Sequence, residues 1–172
     1  MRKRKKWLRL VGGFLLICVA AALTGCSAAD ETPEESAPIP VTLDLDTPSA
    51  VSVSNTDGLS LTTTQKEFSG SDPKIEYSLE NSTDTMYTFG PSAISIEGLQ
   101  DGEWYCLAIR PGAAVHNIAA ILEPHNTFSG KQSFFLYGDC VPAGTYRLVI
   151  GLRPDGPDGS KEYLAAEFSI VE

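Results

Sequence analysis

Beyond Ala50 this chain offers no stretch of ten residues with an apolar stripe of helical period. It offers short runs that alternate apolar and polar residues, each stopped by Gly, Pro, Asn, Asp or Ser. Val51 and Val53 alternate with serines before Asn55-Thr56-Asp57-Gly58 turns the chain. Residues 59–65 follow, then 74–80, where Ile75, Tyr77 and Leu79 share one face. Further runs cover 86–89, 93–99, 104–109, 114–122, 128–137, 146–152 and 163–171, with a double turn at 153–160. Only 114–122 leaves room for a helical turn to compete. About eight or nine strands, spaced roughly 10–12 residues apart, predict an all-β fold, a two-sheet antiparallel sandwich over residues 49–172. A domain of about 120 residues buries some two-thirds of its unfolded surface, enough to fold alone.

The first fifty residues are of another kind. Arg2, Lys3, Arg4, Lys5, Lys6 and Arg9 crowd the first ten positions, and residues 11–23 carry no charge. A basic stretch followed by an apolar one is the pattern of a secretory signal peptide. Thirteen residues of helix rise about 20 Å, short of the ~30 Å hydrocarbon core that a permanent span crosses. A retained N-terminal anchor is the alternative; Ala21, Ala22 and Gly25 ahead of Cys26 favour cleavage instead. Leu23-Thr24-Gly25-Cys26 resembles the lipobox of bacterial lipoprotein precursors at every position, and the resemblance covers residues 1–26. It implies removal of residues 1–25 and a thioether-linked diacylglycerol on Cys26, at the extracytoplasmic face of the membrane. Two acyl chains hold a protein stably where one does so only marginally, at ~0.8 kcal/mol per buried CH₂. Ser27 follows the cysteine, so the Asp that marks inner-membrane retention in double-membrane bacteria is absent.

Cleavage changes the charge. Of 13 basic and 22 acidic residues, six basic ones and no acid leave with the leader, so the mature chain carries 7 against 22 and a formal charge of about −15. Such a surface excludes nucleic acid and disfavours anionic headgroups, since both are bound through Lys and Arg. Residues 26–48 hold an acidic, proline-rich run up to Pro40, which predicts an extended tether. Val41-Thr42-Leu43-Asp44-Leu45-Asp46 is either a short first strand or more of that tether.

Cysteine usage follows from the same division. Cys18 leaves with the leader and Cys26 goes to lipid, so Cys106 and Cys140 remain as an even pair in an oxidising compartment. A disulfide would close a loop of about 35 residues and stabilise by roughly 4 kcal/mol; two separately buried thiols are the alternative.

Within the domain, Cys140-Val141-Pro142-Ala143-Gly144-Thr145-Tyr146 has the spacing of a tyrosine corner. There Gly144 permits a tight approach, and the Tyr146 hydroxyl turns back to the backbone a few residues upstream. Trp104, just after Asp101-Gly102-Glu103, reads as a plug between the sheets, with a surface aromatic as the other option. Three stretches together resemble a bacterial immunoglobulin-like domain family of secreted and lipid-anchored Gram-positive proteins, over residues 49–171. They are Ile96-Glu97 with Asp101-Gly102-Glu103-Trp104-Tyr105, then Gly144-Thr145-Tyr146-Arg147, then Ala166-Glu167-Phe168-Ser169-Ile170. Cys140 departs from the pattern, which more usually has an aliphatic residue there; Cys106 in the Trp104 strand is the second departure. The resemblance implies an Ig-like fold outside the cytoplasm and no activity.

No catalytic constellation emerges. His116 and His125 have no zinc spacing, and no nucleophile elbow, metalloprotease helix or phosphate loop occurs. Asp155 and Asp158 with Asp44 and Asp46 have the hard oxygens calcium takes, but Pro-Asp-Gly-Pro-Asp-Gly is turn chemistry first, and no metal or cofactor is expected. Phe134, Phe135 and Tyr137 beside Gly138 read as core, with an exposed patch as the alternative. The expectation is a monomeric, non-catalytic module that binds or scaffolds an envelope protein or glycan. The alternative is an accessory inhibitor or chaperone-like subunit of an envelope enzyme or sensor.

Overall fold

A computed structural model describes residues 37–54, 56–70, 72–115, 118–155 and 159–172. Cys18, the lipobox residues Leu23, Thr24, Gly25 and Cys26, the expected tether up to residue 36, His116 and Asp158 lie outside them.

The alternating runs become ten strands among the described residues: β1 Leu59–Thr63, β2 Glu67–Ser69, β3 Lys74–Asn81, β4 Tyr87–Phe89, β5 Ile94–Gln100, β6 Glu103–Cys106, β7 Ala120–Leu122, β8 Asn126–Ser133, β9 Gly144–Pro154 and β10 Glu162–Val171. The only helical turn described is a 3₁₀ turn at Pro91–Ala93, where Pro91 stops the ladder. Two sheets form. One has three strands in the order β1-β3-β8; the other runs β2-β10-β9-β4-β7, with β5 also on β9 and β6 on β5. All pairs are antiparallel except β2 on the end of β10. This is the expected all-β, Ig-like sandwich.

β9 is the spine. It pairs with β10 along nearly its whole length on one side, and with β5 and then β4 on the other. Tyr146, Leu148, Ile150 and Leu152 alternate into the core against Ile75, Tyr77 and Leu79 of β3 and Leu164, Phe168 and Ile170 of β10. The Tyr146 ring stacks on Phe168 at 6.0 Å and meets Phe134 edge-on at 5.7 Å. Arg147, Val149 and Gly151 on the opposite face of β9 are buried as well. A strand buried on both faces needs a cover on the side away from the core.

Ser49 reaches that outer side through its bond to Glu97; the strap of chain ahead of it, which sequence reasoning assigned to the tether, packs on the core. The expected tether reaches residue 48, yet from Ile39 the chain is already hydrogen-bonded into the sandwich. The Val41 amide donates to the Cys140 carbonyl at 2.9 Å and the Ile39 carbonyl accepts from the Asp139 amide at 2.6 Å. On the strap's other side, the Ala108 amide donates to Thr42 O at 2.9 Å and the Asp44 amide to Cys106 O at 2.8 Å. The chain continues with the Ser49 amide on Trp104 O and the Ser54 amide on Tyr163 O, both at 2.7 Å. The physical reason is the alternation of Val41 and Leu43: Val41 is buried and Leu43 packs on the core. Residues 51–53, expected as a strand, form none; they belong to this strap.

The strap decides two glycines. A Cβ on Gly138 would lie 2.7 Å from both Ile39 O and Val41 N, and one on Gly98 would lie 2.6 Å from Leu43 Cδ2. Gly144 is different. A Cβ there would meet Tyr146 at an ordinary 3.5 Å, so the tight approach expected of it is not required by space. The β5–β6 hairpin is closed by Asp101 and Gly102, both at positive φ (52° and 86°), the type I′ geometry that suits a two-residue hairpin.

Other expectations shift at their ends. Among the described residues of 114–122, only Ala120–Leu122 is strand. Of 128–137 the strand ends at Ser133, and Tyr137 and Gly138 turn back to Phe134 O at 2.7 and 3.0 Å. Residues 67–69, not expected as a strand, pair with β10 through buried Phe68.

Gly138→Ala should destabilise the protein by about 1–3 kcal/mol, because the new methyl meets strap backbone rather than a flexible side chain. Urea denaturation measures this, and Gly102→Ala, whose Cβ would meet nothing within 4 Å, isolates the cost of positive φ alone.

Candidate functional site

The register of β5, β6 and β9 fixes where the polar groups go. Glu97 stands opposite both Arg147 and Cys106, and Leu99 opposite Trp104. Side chains alternate along a strand, so Glu97, Arg147, Cys106 and Trp104 share one face while Ile96 and Leu148 take the core face. Glu97 is wholly buried and Arg147 is 7 % exposed. They are the only buried charged residues among those described.

The arrangement is closed. Arg147 Nε and Nη2 both donate to Glu97 Oε2, at 2.6 Å each. Ser49 Oγ, on the strap, donates to Oε1 at 2.6 Å. The Trp104 ring covers the guanidinium, with Arg147 Cζ 4.5 Å from its centroid. Trp104 therefore does not plug the core between the sheets, as the sequence suggested. It lies on the outer face as a lid on the cation, because its register partner Leu99 shares parity with Glu97. Both carboxylate oxygens are engaged, and a guanidinium does not give up its proton. A cluster so satisfied can hold a structure; it has no spare group to attack, accept a proton or bind a ligand.

The other residues singled out from the sequence are scattered. The Tyr146 hydroxyl donates to Pro142 O at 2.8 Å, four residues upstream, which is tyrosine-corner geometry; burial pushes its pKa up. Cys106 and Cys140 are not paired: both are free and exposed. The strap separates them. Cys140 is bridged to the strap at Pro40, and Leu107, next to Cys106, at Leu43. Pro40 and Leu43 are three strand rises, about 10 Å, apart, beyond the ~7 Å Cα limit of a disulfide. The Cys106 sulfur lies 4.0 Å from Glu97 Oε1; local desolvation first, and then the carboxylate, pushes its thiol pKa up, away from reactive thiolate. His125, at φ 52°, sits 2.8 Å from Asp84 on the surface. Asp44 and Asp46 lie on the strap, and no group of three metal-ligating residues gathers among the described residues.

Sequence reasoning missed three features here. Ser49 was unmarked, although it completes the carboxylate. Phe135, expected in the core, is 64 % exposed, while Phe134 and Tyr137 are buried; Arg110 Cζ stands 5.0 Å from its ring. Asp139 was also unmarked. It accepts from Arg110 at 2.6 Å and from the Ile39 amide at 3.0 Å, and the Arg110 bond first, then the amide, hold its pKa below the usual aspartate value. Its signal was local: an Asp directly after Gly138 in turn chemistry.

Strands β5, β6 and β9, which bring Glu97, Trp104 and Arg147 together, lie inside residues 55–169, which match the family described as bacterial Ig-like domain. The chain belongs to the bacterial Ig-like domain family. Ig-like domains of this kind are typically non-catalytic and usually extracellular. The strap from Ile39 to Ser54 precedes the matched residues yet is hydrogen-bonded to three of their strands or strand extensions. No curated protein matches the chain.

Glu97→Gln should cost about 3–5 kcal/mol, because it leaves the Arg147 charge buried without its counter-ion. Replacing both partners, as Glu97→Leu with Arg147→Met, should cost less than either single change. Additive losses in urea denaturation would show that the pair is not coupled.

Proposed function

We propose that this Ig-like domain is a display module held at the extracytoplasmic face of the membrane by lipid on Cys26. The leader, residues 1–25, is removed, and the domain binds or scaffolds an envelope protein or glycan without chemistry of its own. The observation that carries the module reading is the closed ion pair: the only charges buried among the described residues are spent on each other, on Ser49 and on Trp104. The lipid reading is supported by Leu23-Thr24-Gly25-Cys26, which begins on the last residue of the uncharged run 11–23. No helix among the described residues is long and apolar enough to cross a membrane.

A surface module needs solubility more than a pocket. Eighteen acidic residues against seven basic ones from residue 37 onward give it strong like-charge repulsion from its neighbours. Specific contact then falls to places on the surface where acids are missing.

Cys26→Ala should leave the chain unprocessed or release it from the membrane, seen by fractionation and intact mass. Retention together with unchanged lipid labelling would contradict the proposal.

A further inference from the structure

The domain spends most of its positive charge on itself. From residue 37 onward it has seven basic residues against eighteen acidic ones. Lys74 pairs with Asp72, Arg110 with Asp139, Lys131 with Glu76 and Arg147 with Glu97. Lys66 Nζ donates to the Glu167 carbonyl at 3.4 Å. The two that remain, Arg153 and Lys161, are exposed and have no carboxylate partner among the described residues.

The register sets these two side by side. Arg153 pairs with Thr88 of β4 on one side. On the other, the β9–β10 ladder ends with Leu152 opposite Glu162, and one step further Lys161 comes opposite Arg153. Leu152 is buried in the core, so Arg153 and its two neighbours take the outer face of the sheet. A cavity of about 250 Å³ opens there, lined by Arg153, Lys161, Thr88, Gly90, Ala93 and Gly151 among others. Gly151 has no side chain to fill it, and a Cβ there would lie 2.9 Å from the Tyr163 ring. Thr88 Oγ1 donates only to Arg153 O, at 3.5 Å. Like charges directly opposite each other across a hairpin repel, and no described acid offsets these two.

We propose that this hollow holds a phosphodiester group of an anionic envelope polymer. The inference rests on the binding-module reading and names the chemistry of its ligand. An arginine fork alone satisfies a planar carboxylate. A second cation and a hydroxyl, reaching in from other directions, match the tetrahedral oxygens of a phosphate. An open hollow with two cations holds one such group weakly, so retention comes from successive groups of a chain rebinding at one place. The acidic excess of the domain keeps a polyanion from settling elsewhere. Position along β9 favours a polymer over lipid headgroups. The strap enters at the start of β9, where Val41, Thr42 and Leu43 line a cavity with Gly144, Thr145 and Tyr146. Arg153 stands nine strand rises further on, about 30 Å, at the end of the sandwich away from the incoming chain.

The test titrates the full-length chain, in micelles of a nonionic detergent at low salt, into a fluorescein-labelled glycerol-phosphate oligomer and reads anisotropy. Arg153→Gln with Lys161→Gln should weaken binding at least about tenfold, the worth of losing charge-assisted bonds to the phosphate. Lys74→Gln with Lys131→Gln removes the same charge from two exposed, paired lysines and should change binding little. All four positions are exposed, and unchanged urea midpoints confirm that the variants fold. No binding by the wild-type chain, or equal weakening by both pairs, would overturn the proposal. So would polygalacturonate bound as tightly as the oligomer, which points to carboxylate, or phosphatidylglycerol vesicles displacing it, which points to headgroups. Binding that appears only after Asp158→Asn would show that the chain's own acid takes the place of the ligand. Each of these outcomes leaves the module reading standing, whereas cleavage of the oligomer during the titration would overturn both.

Discussion

The ion pair between Glu97 and Arg147 is the constraint on which the larger sheet depends. It joins β5 to β9, the strand that every other part of that sheet leans on. Taking two charges out of water costs several kcal/mol per ion, and the cost is offset only where geometry and extra hydrogen bonds are good. Here both are supplied from far away in the chain: Ser49 fills the second carboxylate oxygen and Trp104 covers the guanidinium. The pair therefore holds only when the strap, the β5–β6 hairpin and β9 are all in place, which ties three stretches of sequence to one arrangement.

That dependence explains why the domain begins earlier than the matched residues suggest. The strap supplies Val41 to the core, Leu43 to the gap over Gly98, backbone to the gap over Gly138, and Ser49 to the ion pair. It also runs between the two cysteines and keeps them apart.

Much of the sandwich was legible because period-two patterning is a local signal. Ile75, Tyr77 and Leu79 announce β3, and Tyr146 to Leu152 announce β9. The tyrosine corner was legible from Pro142, Gly144 and Tyr146 for the same reason; Asp101-Gly102-Glu103 read only as a turn, and its hairpin came with the structure. Trp104 was misplaced because the face a residue takes depends on register, which a single strand does not reveal. The strap was left open because three prolines outweighed the alternation of Val41 and Leu43. Ser49 could not be found at all: a serine becomes a ligand of Glu97 only through pairing across 48 residues. The exposed β6–β7 connection was read as strand because apolar residues in that number ordinarily lie inside.

The two buried charges are consumed in closing the larger sheet. The claim beneath all of this is that residues 39–54 belong to the folded unit and close the ion pair. Comparing the urea unfolding of a chain starting at residue 37 with one starting at residue 55 tests it most directly. Burial of Val41 and Leu43 and the Ser49 bond to a charge together amount to at least about 3 kcal/mol. The shorter chain should therefore lose that much or fail to unfold cooperatively, and an unchanged midpoint and slope would contradict the claim.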